Sequence, residues 1–220
     1  MTDVRERLRA ILDDWRREHG QERLPIDVTE LAAARGIAAT VEPDGPQAHV
    51  RQRFALAHAI AHAALPGGDG ESLSDWGASV LLMPDELTWS YRSDQGLRAV
   101  ERLARDAQVS LEAAGLRLVE RGGRPAAFVV AAATEQDLRV RYARVHDVQL
   151  LIPRGASIDP GSVLARAAAS GRRERGVEPL PGDRDRRFHV EAKSYPTGRG
   201  PGTRERVLAL AWPQAERRAD

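Results

Sequence analysis

Cysteine is absent from the 220 residues, which excludes disulfides, zinc ribbons, iron–sulfur clusters and thiol nucleophiles together. Any metal must therefore rest on histidine and carboxylate. No run of about 18 apolar residues exists, and the opening MTDVRERLRA carries charge where a signal peptide needs an apolar stretch. The expectation is a cytoplasmic protein with no membrane partner. Lysine is nearly missing: one of the 33 basic residues is lysine and the rest are arginine. No internal repeat is visible, and the length suits one sizeable core with room for a smaller appendage, one to two domains.

The near-neutral net charge of +1 conceals an asymmetry. Residues 1–120 hold 14 Lys and Arg against 20 Asp and Glu, whereas residues 121–220 hold 19 against 12. The two parts thus stand at −6 and +7. A basic C-terminal half can face nucleic acid, an acidic protein, or the acidic half of its own chain. Its arginines are diffuse and no reader motif accompanies them, so nucleic acid ranks behind a protein partner.

Val4, Leu8, Ile11, Leu12 and Trp15 recur at spacings of three and four, which describes a helix over 4–17 with Trp15 packed inward. After His19-Gly20, the stretch LPIDVTELAAARGIAATVEP offers Asp27 or Thr29 as N-cap of a second helix ending near Gly36. Ile37 to Val41 reads as a short strand and EPDGPQ as a turn. A third, alanine-rich helix runs from Arg51 to about Leu65. Pro66-Gly67-Gly68-Asp69-Gly70 breaks it, and Ser74 to Met83 resumes a helix that stops at Pro84. Residues 97–107 and 110–120 form a helical pair, the second begun by Ser110. Such a pair can resemble a helix-turn-helix, but the favoured reading is two packed helices without DNA contact, because Arg117 is the one obvious basic reader on the second.

Beyond Gly122-Gly123 the periodicity changes. Ala126 to Ala132, Leu138 to Ala143, Val148 to Ile152, Arg187 to Lys193 and Val207 to Trp212 are short strand-type runs between Gly, Pro and Asp clusters. One helix, about Pro160 to Ala169, interrupts them. Mobile loops are expected from Gly171 to Asp185 and from Pro196 to Arg204. The organisation is therefore a domain over 1–122 that includes the helical pair at 97–120, and a β-rich module over 123–220. His146 and His189 stand singly in strand-like surroundings, a position where histidine is more often structural than functional.

The informative stretch is RFALAHAIAHAAL, where His58 and His62 stand four apart on a helix. That spacing puts both imidazoles on one face, where they can share a metal ion. In the HExxH arrangement the residue after the first histidine is a glutamate that takes a proton from metal-bound water and delivers it to the leaving amine. Here that residue is Ala59. A methyl group accepts no proton, and losing a general base costs about two to four orders of magnitude in rate. Two histidines alone are also the mark of nothing more than a helix with hydrogen-bonded or exposed imidazoles.

Several separated stretches resemble the ImmA/IrrE family, in the expected order: LPIDVTELAAARGIAATV; RFALAHAIAHAAL in place of that family's RF-x-L-A-H-E-L-G-H; LLMP at Leu81 to Pro84; and LARDAQVSLEAAGLRL. The resemblance covers most of residues 25–120. It implies an α+β, zincin-like helical peptidase domain with a small sheet, in which two histidines and a glutamate hold zinc. It also implies regulation of gene expression by cleaving or inactivating a helix-turn-helix repressor, in some members as a stress response to DNA damage.

Three departures turn the expectation toward a pseudoenzyme. Ala59 replaces the catalytic glutamate. Counting back from LLMP, the family's third ligand falls near Leu73, with Glu71 and Asp75 two residues to either side and about 200° round the helix. Only a dozen residues separate Val41 from the histidine helix, where the family usually has a strand hairpin. The expected site is thus a degenerate His58 and His62 pair with no catalytic residue, with Asp75 or Glu71 as the third ligand if zinc is kept. The expected function is a noncatalytic regulator that binds a protein partner, a helix-turn-helix repressor among the candidates. An active zinc endopeptidase cleaving such a repressor is the alternative, and a DNA-binding regulator the second.

Overall fold

The computed structural model describes residues 2–38, 48–65, 70–121, 123–134, 137–196 and 205–214. These fold as an α+β chain with eight α-helices and a five-stranded antiparallel sheet among the described residues. None of those helices is long and apolar enough to cross a membrane. The chain divides into two compact units, Met1–Tyr91 with Glu101–Arg117, and Arg92–Val100 with Leu118–Asp220.

The first unit is helical throughout its described residues. It comprises α1 (Thr2–Glu18), α2 (Val28–Ala34), α3 (Ala48–Ala64), α4 (Glu71–Leu82), α5 (Asp85–Thr88) and parts of α6 (Leu97–Ala107) and α7 (Leu111–Glu120). The Asp27 carboxylate accepts from the backbone N–H groups of Thr29 and Glu30 and so fixes where α2 begins. Ala113 N–H donates to Ser110 Oγ at 3.0 Å, the same device at the start of α7. The strand read at Ile37 to Val41 and the turn at EPDGPQ lie largely outside the described residues, as does most of the break at Pro66 to Asp69.

Helix α3 packs against α1, α2 and α4. Its buried positions Ala57, Ile60, Ala61 and Ala64 follow the helical repeat. Small side chains let the neighbours come close: a methyl added to Gly77 of α4 would lie 2.7 Å from Ala61 Cβ and 2.9 Å from Leu8 Cδ2. Leu8, Leu12, Ile60, Leu81 and Leu82, on the same three helices α1, α3 and α4, are buried, each contributing about 1.5–3 kcal/mol of transfer free energy. Trp15 is only half-buried, with the Arg35 guanidinium 4.2 Å above its ring. The residue beside it, Arg16, is the one that is buried.

The second unit is built on strands β1 (Ala126–Ala133), β2 (Leu138–His146), β3 (Glu174–Leu180), β4 (Asp183–Pro196) and β5 (Glu205–Pro213), in the order β2-β1-β5-β4-β3. Helix α8 (Val163–Ser170) covers one face, where Val163, Leu164 and Ala167 meet Phe188, Val190, Ala192, Ala209 and Ala211. Two expectations are corrected here. Val148 to Ile152 is not a strand: Asp147 turns the chain at φ 50°, after which Ile152 drops into the core without a ladder partner. The segment from Gly171 to Asp185 is not a loop but contains β3 and the hairpin into β4. Gly176 and Pro179 hide it in the sequence, yet both suit an edge strand. A methyl at Gly176 would stand 2.8 Å from Val163 Cγ2, so glycine is what lets α8 sit there. Most of the expected loop from Pro196 to Arg204 lies outside the described residues.

Candidate functional site

His58 and His62 both project from α3 on the side that meets the beginning of α4. Gly70, at φ +82°, starts that helix, and Glu71 is its first residue. The start sets the phase of everything after it, and brings Glu71 and Asp75, one turn apart, round to His58. His58 Nε2 lies 3.2 Å from Glu71 Oε2, and its Nδ1 lies 3.0 Å from Asp75 Oδ1. Phe54, one turn earlier on α3, packs its ring 6.5 Å from the imidazole. The ring is therefore held on both nitrogens, half-buried between two exposed carboxylates.

His62 is exposed and has a different environment. With Ala61, Leu65, Gly70, Leu73 and Ser74 it lines a crevice of about 10 Å³, room for one water at most. Leu73, the position where the resemblance places a third ligand, thus sits beside His62 and offers it only methyl groups. Ala59 follows His58 on α3 and is half-buried. The sequence positions are brought together, but into two separate environments: His58 with Glu71 and Asp75, and His62 with Leu73.

A resident zinc needs three or four donors at about 2.0–2.2 Å from one point. Among the described residues no group of three His, Cys, Asp or Glu side chains converges in that way. Both His58 nitrogens point at carboxylates on different positions of α4, and Leu73 supplies nothing. The donor set as arranged does not fit the metal. Chemically it can hydrogen-bond and carry charge, but Ala59 supplies no acceptor for a proton.

The stretches that carry the resemblance meet in space through two arginines. Arg53 Nη2 donates to Ile26 O at 2.9 Å and to Ala107 O at 3.3 Å, joining the RF, LPIDV and LARDA segments. Arg117, buried on α7, donates from Nε to Met83 O at 3.0 Å and from Nη2 to Asp85 Oδ1 at 2.7 Å. Arg117, from the LARDAQVSLEAAGLRL stretch, therefore clamps the LLMP stop. Arg9 Nη1 adds a contact to Asp85 Oδ2 at 3.0 Å, and Arg16 pairs with Glu86. Sequence reading missed this cluster. Its signal was the Asp-Glu pair directly after LLMP, facing arginines at helical spacing elsewhere. It also removes Arg117 from the surface, where it stood as the one basic reader of the helical pair.

No protein-family model matches the chain. The chain is 37% identical over 107 residues to the radiation response metalloprotease IrrE of Deinococcus deserti, a match over 40% of this chain and 38% of that protein. It thus spans well under half of the relative it matches, and the likeness supports an IrrE-like relationship. Among solved structures, a Mycobacterium tuberculosis transcriptional regulator superposes with a TM-score of 0.63, over 97% of this chain and 77% of that one, at 16% identity. That is a likeness of fold.

Proposed function

We propose that this chain is a noncatalytic regulator of the ImmA/IrrE type, which binds a protein partner through a peptidase-like helical unit without cutting it. The observation that carries the reading is the HAIAH helix: Ala59 stands where a proton acceptor is needed. The separation of His58 from His62 and the apolar Leu73 support it. A surface complementary to a polypeptide but lacking an activated water binds and releases. A helix-turn-helix transcriptional repressor is the candidate partner, as the resemblance to the ImmA/IrrE family implies; the matched relative is a radiation response metalloprotease.

The test is to mix the purified chain with a co-encoded helix-turn-helix repressor, following binding by calorimetry and chain integrity by mass spectrometry. A stable complex with both chains intact is expected. Cleavage of the repressor that needs added zinc would overturn the reading.

One observation favours a second reading. Glu71 and Asp75 both face His58 within 3.2 Å, so a modest shift of the start of α4 would offer a carboxylate to a metal shared with His62. In that zinc endopeptidase, His58→Ala abolishes cleavage of the repressor; cleavage unaffected by the substitution eliminates it.

A further inference from the structure

The C-terminal unit has a concavity of its own, on the face of the sheet opposite α8. Strand alternation puts Phe188, Val190 and Ala192 under α8, and sends His189 and Glu191 to the other side. There the register aligns two rows. Val177 pairs with His189 and His189 with Trp212; Arg175 pairs with Glu191. A short 3-10 turn at Ser93–Gln95, ended by Gly96 at φ +70°, closes one side. Any side chain at Gly96 would overlap the Glu191 carboxylate, so glycine is what lets the backbone rest there. The space enclosed is about 370 Å³, within the range of about 300–1,000 Å³ typical of small-ligand sites.

Three properties say what would fill it. The His189 and Trp212 rings stack, with centroids 5.9 Å apart and planes 21° apart, beside Val177, which is exposed although apolar. That makes a flat wall suited to a planar ring. Among the described residues, hydrogen-bond partners are lacking for the Trp212 indole N–H, both ring nitrogens of His189, and Nη1 of Arg175, whose Nε and Nη2 both reach Glu191 Oε2. Each of the two carboxylates beside the space is already matched by two guanidiniums: Glu191, 2% exposed, by Arg173 and Arg175, and Asp94 by Arg92 and Arg124. Arg175 is the guanidinium that lines the space itself, so with both carboxylates already paired, its Nη1 stands at the edge as a charged donor.

We propose that this concavity, walled by the His189 and Trp212 rings and edged by Arg175, binds a small planar aromatic carboxylate. The ring lies against the stacked pair, and the carboxylate accepts from Arg175 Nη1 and the Trp212 indole N–H. The carboxylate thus meets a charged N–H donor, and such charge-assisted hydrogen bonds are about twice as strong as neutral ones. Nothing in this rests on whether the helical unit cuts or only binds.

The experiment follows the Trp212 indole N–H resonance of the full chain on titration with benzoate, nicotinate and indole-3-carboxylate. Indole serves as a ring without charge and inorganic phosphate as charge without a ring. At least one carboxylate should shift the resonance saturably, and bind about tenfold or more tighter than either control. Arg175→Gln should weaken that binding by about tenfold or more, and Val177→Trp, which fills the space from an exposed position, should abolish it. Circular dichroism shows whether both variants keep the fold; both positions are exposed, so retention is expected. No saturable shift with any of the three carboxylates would overturn the proposal. So would affinity for indole equal to that for the carboxylates, or binding that survives Val177→Trp in a folded protein.

Discussion

A methyl group at position 59 and an isobutyl group at position 73 decide most of the chemistry available to α3 and α4. Restoring one without the other should not restore hydrolysis, because a general base needs a held water and Leu73 offers the metal no donor. Ala59→Glu alone is therefore expected to leave a co-encoded repressor intact, as read by mass spectrometry; cleavage by that variant would show that metal and water are already in place. The same scale supplies a pH signature. Tyr91 donates to Asp106 Oδ2 at 2.6 Å. Burial, followed by that bond, pushes the phenol up to about 12, while the bond holds the Asp106 carboxyl below its ordinary value. Stability from Tyr91 is fully present below about pH 10 and is lost as pH rises through about 12. Stability from Asp106 is present above its ordinary pKa of 3.8 and is lost as pH falls through the lowered folded value. Tyr91→Phe should cost about 1.5–3 kcal/mol at neutral pH, and denaturant titration at neutral and acid pH should show the difference shrinking in acid. An equal loss at both would contradict the pairing.

The elements show where a single sequence could and could not be read. Helices α1, α3, α6 and α7 were legible because apolar residues recur at three and four, and β1, β5 and the middle of β4 because runs of apolar and β-branched residues are bounded by turn residues. Strand β3 was not, since Gly176 and Pro179 are ordinarily strand breakers and only the closeness of α8 explains the glycine. Val148 to Ile152 misled for the opposite reason: its alternation is real, and serves to bury Ile152, but no neighbouring backbone pairs with it. At the site, the i, i+4 spacing placed His58 and His62 on one side of α3. What spacing could not give was the phase of α4, set by Gly70 at its start, which sends Glu71 and Asp75 to His58 and leaves Leu73 beside His62. Two substitutions test this packing. Gly77→Ala should destabilise the helical unit by about 1–3 kcal/mol through overlap with Ala61 and Leu8, and an unchanged unfolding midpoint would refute so close an approach. Asp85→Ala removes the carboxylate that holds Arg117 Nη2 and Arg9 Nη1, and should cost about 1.5–3 kcal/mol; a loss near zero would mean that the clamp at LLMP is ornamental.

At the scale of the whole molecule, two units of different construction share one chain. The helical one carries the residues that resemble a metallopeptidase, tied together by Arg53 and Arg117. The sheet unit carries the aromatic and arginine-lined concavity. The likeness to IrrE reaches 40% of the chain, whereas the likeness of fold to the mycobacterial regulator reaches 97%. The two proposals together describe a regulator that senses a small molecule on its sheet and holds a protein on its helices. Its central requirement is that the paired histidines no longer form a metal centre. Metal analysis of the purified full chain, after dialysis against zinc and then against zinc-free buffer, tests this most directly. The account predicts far less than one equivalent of zinc, the same in His58→Ala as in the unaltered protein; one equivalent retained by the unaltered protein and lost in His58→Ala would contradict it.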